Sequence, residues 1–231
     1  MTHSITPNMT RRRFAMGSAS LLGLALAGCE TTGAGRSGFM SSSEFALKYG
    51  AVPDEQFPVP AIRPRDLPPK FRRQRVEYET KERVGSLVVD TNSYYLYLVE
   101  KDGMAMRYGV GLGRQGFEWS GRARVAWKRE WPKWTPPDSM IAREPDLERW
   151  SVRNGGMPPG PENPMGARAL YIFQGNVDTL YRLHGSKDPR AIGKPSSSGC
   201  VRLTNQDVID LYDRVKPNAR ILVIGPNTPV G

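Results

Sequence analysis

Short runs of β-branched and aromatic residues, broken by polar turns, begin at Val84 and recur to the C-terminus. Leu87-Val88-Val89 and Tyr94-Tyr95-Leu96-Tyr97-Leu98-Val99 flank the polar Thr91-Asn92-Ser93, and both runs read as strands. Lys101-Asp102-Gly103 is a turn signal before a third strand over 104–110, so an antiparallel meander is expected there. Further strands are expected over 122–128, 169–173, 179–184 and 220–224. The segments 131–137 and 155–161 are crowded with Pro and Gly and read as irregular. Only one stretch has strong helical spacing: Val208, Leu211, Tyr212 and Val215 follow Thr204, a good N-cap with Asp207 three residues on. The pattern predicts a mostly β domain with few helices.

Before Val84 the pattern differs. Thr10-Arg11-Arg12-Arg13-Phe14 and the uncharged run over 14–27 resemble a twin-arginine export signal, and the run is short for a membrane span. It ends in Leu26-Ala27-Gly28-Cys29, which resembles a bacterial lipobox; in that reading Cys29 carries a lipid. From Glu30 the chain is rich in Gly, Ser and Thr, then in Pro at 53, 58, 60, 64, 68 and 69. A short helix over 42–49 is expected, and the prolines keep the rest extended, as a tether or as a strap packed on the domain. The organisation read from this is a signal peptide (1–29), a linker or strap (30–83), a catalytic domain (84–226) and a tail (227–231).

The charge balance narrows the partners. There are 33 Lys and Arg against 23 Asp and Glu, and without the leader arginines Arg11, Arg12 and Arg13 the balance is 30 against 23. A mildly basic protein suits an anionic polymer or membrane surface. Its basic residues are interspersed with acidic ones, as in Lys81-Glu82-Arg83, and no arginine stripe or aromatic RNA motif is present, so nucleic acid is not expected as a partner. Gly111, Gly113 and Gly116 have dinucleotide-fingerprint spacing, but Phe117-Glu118-Trp119-Ser120-Gly121 opens no amphipathic helix to hold a pyrophosphate. No cofactor is expected, and one histidine without a cysteine pair in the domain gives no metal cluster.

The chemistry concentrates between His184 and Asn205. His3 and Cys29 fall in the leader, which leaves His184 as the single histidine and Cys200 as the single free thiol of the domain. A thiol needs a base within reach to become a nucleophile near neutral pH. The loop from Gly185 to Ser198 is long enough to return Cys200 beside His184. Backbone N–H groups at Ser198, Gly199 and Cys200 are candidates for an oxyanion hole. Arg202 is the candidate for a substrate carboxylate, with a structural ion pair as the plainer alternative. Trp131 and Trp134 are candidate cleft walls, with loop anchors as the plainer reading.

His184-Gly185, then Ser197-Ser198-Gly199-Cys200-Val201-Arg202 and Asn205, resemble the signature of the L,D-transpeptidases of bacterial peptidoglycan. The resemblance extends over about 84–225 and includes Asn163-Pro164-Met165-Gly166-Ala167-Arg168 and Tyr181-Arg182-Leu183-His184-Gly185. It implies an antiparallel β-sandwich or barrel-like catalytic domain with a few short helices. It also implies Cys200 as nucleophile, His184 as base and acid, the Gly185 carbonyl as the group orienting His184, and Ser198 and Asn205 in substrate binding. Where the family usually has histidine before Gly-Cys, this chain has Ser198. The implied substrates are peptidoglycan stem peptides as donor and acceptor, with outer-membrane proteins as further acceptors, in the periplasm. A sortase-like cysteine transpeptidase, a carboxypeptidase using the same site and a non-catalytic peptidoglycan-binding lipoprotein are the other readings.

Overall fold

A computed structural model describes residues 40–113, 119–196 and 201–225. The leader with Cys29, the loop 114–118, the segment holding Ser198, Gly199 and Cys200, and the tail lie outside the described residues. The strands are β1 (Gln74–Glu77), β2 (Leu87–Asp90), β3 (Tyr95–Val99), β4 (Met104–Gly109), β5 (Gly111–Gly113), β6 (Gly121–Glu130), β7 (Arg168–Gln174), β8 (Val177–Ser186), β9 (Pro195–Ser196), β10 (Val201–Thr204) and β11 (Arg220–Ile224). The helices are α1 (Ser42–Tyr49), α2 (Asp138–Ile141) and α3 (Asn205–Arg214). The meander β2-β3-β4 forms as its turn residues predict. Asp102 and Gly103 both take positive φ, 59° and 67°, which matches the twist of the flanking strands. The short strands β1, β5, β9 and β10 were not expected from the sequence.

The expectation of an antiparallel sandwich or barrel is corrected. The described strands form one mixed sheet in the order β1-β4-β3-β2-β11-β6-β7-β8-β10-β5-β9, which does not close on itself. Three of its joints are parallel: β2 with β11, β8 with β10, and β5 with β9. A parallel neighbour needs a crossover rather than a hairpin. Residues 187–200 carry the chain from β8 to β10, and α3 lies on the route from β10 to β11. This helix also does what a second sheet would do in a sandwich, since Val208 and Leu211 are fully buried in one cluster with Leu170, Leu183, Leu203 and Ile221. Burying a leucine completely stabilises the fold by roughly 1.5–3 kcal/mol. Its start is set by Thr204, whose hydroxyl accepts from Asp207 N–H at 3.1 Å.

The proline-rich segment from residue 40 is packed on the domain. Phe45, Tyr49, Leu67 and Phe71 form a second buried cluster with Ile192. Gln206 of α3 donates from its amide to the carbonyls of Gly50 and Pro60, at 3.1 and 2.9 Å. Glu55 is gripped by Arg168 through two hydrogen bonds of 2.8 and 2.6 Å.

Candidate active site

His184 lies on β8, between antiparallel β7 and parallel β10, in a cross-strand row Ala169–His184–Arg202. Its ring is buried, and Nδ1 lies 2.7 Å from the carbonyl oxygen of Gly185. A carbonyl only accepts, so Nδ1 carries the proton and Nε2 of the neutral ring is the basic nitrogen. Burial pushes the imidazole down to about 4, against hydrogen bonding to the Gly185 and Pro164 backbone, with the charges of Arg202 and Arg182 adding to the fall. The ring is therefore a neutral imidazole at pH 7.

The Gly185 backbone is fixed by what surrounds it. Asn205, the first residue of α3, accepts from Ala167 N–H at 3.0 Å through Oδ1. A Cβ on Gly185 would collide with that same oxygen, so only glycine lets Asn205 close over this turn of chain. Gly166 sits against the Gly185 backbone at φ 63°, a conformation that glycine adopts without strain. Asn163 braces the incoming loop: its amide donates to the Pro132 and Pro158 carbonyls at 3.0 and 2.9 Å, and its oxygen accepts from Met165 N–H at 2.9 Å.

A cavity of about 670 Å³ opens on His184 and is lined also by Arg202, Arg182, Tyr171, Trp134 and Lys187. Arg182 is held by Asp178 through two hydrogen bonds of 2.7 and 2.6 Å. A second cavity of about 390 Å³ shares Ser186 and Lys187 with the first and is walled by the strap from Pro58 to Arg63 together with Trp131 and Asn205. The two candidate tryptophans thus part. Trp134 lines the His184 cavity, whereas Trp131 is buried beside the second cavity and donates from its indole to Glu55 at 2.8 Å. Asn205 likewise lines the second cavity, with its oxygen engaged by Ala167.

Cys200, Gly199 and Ser198 lie outside the described residues. The described chain resumes at Val201, paired in parallel with Leu183 and antiparallel with Leu112, so Arg202 comes level with His184. Tyr171, Leu180 and Arg182 also line the His184 cavity and were missed from the sequence. The two-residue spacing of Leu180, Arg182 and His184 along one strand was the available signal. Among the described residues no group of three or more His, Cys, Asp or Glu could hold a metal ion.

Known proteins resemble parts of this sequence. The YkuD family model, described as the L,D-transpeptidase catalytic domain, matches residues 85–224. The "Putative L,D-transpeptidase in ATP synthase subunits region ORF 5" of Fuscovulum blasticum is 36% identical over 104 residues, 45% of this chain and 49% of that protein. The "Probable L,D-transpeptidase ErfK/SrfK" of Escherichia coli (strain K12) is 33% identical over 143 residues, 60% of this chain and 43% of that protein. The chain thus spans less than half the length of these curated relatives. A crystal structure from Brucella melitensis, described as a "Probable carnitine operon oxidoreductase caia", aligns at 48% identity and a TM-score of 0.48 over 64% of this chain and 91% of its own. With the family model matched from just before β2 to the end of β11, the chain belongs to the L,D-transpeptidase catalytic domain family.

Proposed function

We propose that the protein is an exported L,D-transpeptidase that acts on peptidoglycan stem tetrapeptides through a thioester on Cys200. The observation that carries this reading is His184 held neutral in a cavity wall, with Nδ1 tied to Gly185 and Nε2 left as the base. Cys200 attacks the carbonyl joining the third stem residue to the terminal D-alanine. His184 takes the thiol proton and passes it to the departing amine as the C–N bond breaks. Backbone N–H groups at Gly199 and its neighbours receive the oxyanion, while Arg202 and Ser198 contact the substrate. An acceptor amine, from a second stem or an envelope protein, then attacks the thioester and returns the proton through His184; water in its place gives trimming. The resemblance of residues 10–29 to a twin-arginine leader ending in a lipobox supports export to the periplasm with a lipid on Cys29.

The test is intact-mass analysis of the chain after incubation with a tetrapeptide-stem muropeptide. A tripeptide-acyl adduct with release of D-alanine is expected, lost in Cys200→Ala and slowed at least about 100-fold in His184→Ala. No adduct and no D-alanine from folded protein with reduced Cys200 would refute the reading and leave a binding protein, the alternative that Ser198 raises.

A further inference from the structure

The sheet face that carries His184 continues beyond the cavity as an exposed aromatic ridge. The register sets Trp127 of β6 opposite Tyr171 of β7, and Tyr171 opposite Arg182 of β8, in one cross-strand row. Along these strands Trp127, Ala169 and Arg182 lie two residues from Arg129, Tyr171 and His184 respectively, so all belong to the same face. The opposite face is the covered one: Lys128 donates to the Tyr212 and Val215 carbonyls near the end of α3, at 2.6 and 2.7 Å. On the open face the Trp127 and Tyr171 rings are stacked with centroids 3.4 Å apart at 12°. The Arg182 guanidinium lies 4.4 Å from the centre of the Tyr171 ring, and the Arg129 guanidinium 5.5 Å from that of Trp127.

Two features of this ridge point outward to a ligand. Trp127 is 39% exposed, unusual for so large an apolar side chain in the middle of a strand. Its indole N–H and the exposed Arg129 guanidinium have no hydrogen-bond or carboxylate partner among the described residues, whereas Arg182 is satisfied by Asp178. The ridge is continuous with the cavity, because Tyr171 and Arg182 line both. An aromatic surface edged by an indole N–H and a cation suits a ligand with an apolar C–H face and projecting acyl oxygens. A pyranose ring carrying acetamido and amide-capped acyl substituents, whose carbonyl oxygens project from it, has that form.

We propose that Trp127 and Arg129 bind the glycan strand from which the donor stem peptide hangs. This rests on the peptidoglycan reading of the cavity, and the geometry has the right length. With strands about 4.8 Å apart and residues rising about 3.3 Å, Trp127 lies two strands and two residues from His184, about 12 Å away. Three extended stem residues, the number between the acylated carbonyl and the sugar, reach about 10–11 Å. A stem peptide running over Arg182 and Tyr171 therefore delivers its sugar to Trp127.

The experiment uses the whole chain and the exposed-face variants Trp127→Ala and Arg129→Gln. Sedimentation with glycan strands stripped of their stems, the freed carboxyls capped as amides, reads binding without any acylation. Each variant is expected to weaken that binding, Trp127→Ala by about ten-fold. The ratio of kcat/KM for a glycan-linked tetrapeptide over the free tetrapeptide is expected to fall by the same factor. Wild-type protein that ignores stem-free glycan overturns the proposal, as do variants that bind it like wild type or lose both donors in parallel. If no donor is acylated at all yet stem-free glycan binds and Trp127→Ala abolishes the binding, the ridge stands and the transpeptidase reading fails.

Discussion

A histidine that is to act as a base has to be neutral and aimed, and at His184 both follow from its immediate surroundings. Gly185 offers its carbonyl to Nδ1, and burial together with Arg202 and Arg182 keeps a second proton off the ring. The expected outcome is an imidazole NMR titration at about 4, far below the ordinary 6.5, read in a His3→Gln background that leaves one histidine. A midpoint at or above 6.5 would show an open, solvated ring and sink the account. Part of this was legible beforehand: the resemblance carried by His184-Gly185 and Ser198-Gly199-Cys200 implied the Gly185 carbonyl as the group orienting His184, and Nδ1 lies against it. The tryptophans were not. Trp131 and Trp134 sit beside prolines alike, and what separates them is a carboxylate 76 positions upstream, Glu55, which captures the indole of Trp131. Nor could Tyr171 be placed at the cavity without the β7–β8 register, which an irregularity between Tyr171 and Phe173 shifts.

The proline-rich strap matters at the scale of elements. Glu55 is anchored between the Arg168 guanidinium and the Trp131 indole, and although burial opposes its charge, these donors hold its carboxyl below the usual range. Glu55→Ala would leave the buried Arg168 with only the more distant carboxylate of Glu130 at 3.8 Å, and breaking such a buried pair costs up to about 3–5 kcal/mol. Urea denaturation should register a loss of that order; a loss under about 0.5 kcal/mol would mean that the strap is an ornament on an independent fold. The sequence showed that prolines keep this segment extended and that 42–49 is helical. It could not show that Tyr49, Leu67 and Phe71 are core residues, because isolated apolar side chains in extended chain have no period to read. Strands β2, β3, β4, β6, β7, β8 and β11 and helix α3 were legible because each repeats its pattern over several residues. The sheet order was not, since it depends on two crossovers that place β11 beside β2 and β10 beside β8.

At the scale of the whole molecule, the buried Asp207 and His184 have opposing effects on stability. Asp207, in the first turn of α3, is pushed up to about 6 by burial, against the pull of Arg73, Thr204 and Tyr49 and with the neighbouring charge of Asp210 adding to the rise. Between the ordinary 3.8 and about 6 the folded state holds a proton on Asp207 that the unfolded chain has released, so this group makes stability fall as pH rises. His184 does the reverse. Between about 4 and 6.5 the unfolded chain holds a proton that the folded ring refuses, so stability rises with pH. Each slope is worth about 1.4 kcal/mol per pH unit, and over roughly pH 4 to 6 they cancel. Asp207→Asn removes one slope while Arg73 keeps Asp210 at 2.9 Å, and its stability should then rise with pH across that window relative to wild type. His184→Gln should fall with pH relative to wild type by a similar amount. Glu55, Asp178, Asp188 and Asp210, all held below their usual range, contribute stability that is lost as the pH drops toward and below 4. That background is common to the three proteins and drops out of the differences. Urea midpoints at pH 4.5, 5.25 and 6 are the measurement. Three parallel profiles would mean that neither group titrates differently on folding. Divergence in opposite directions would place a buried acid beneath the helix and a buried base in the cavity wall, balanced so that the fold tolerates mild acid.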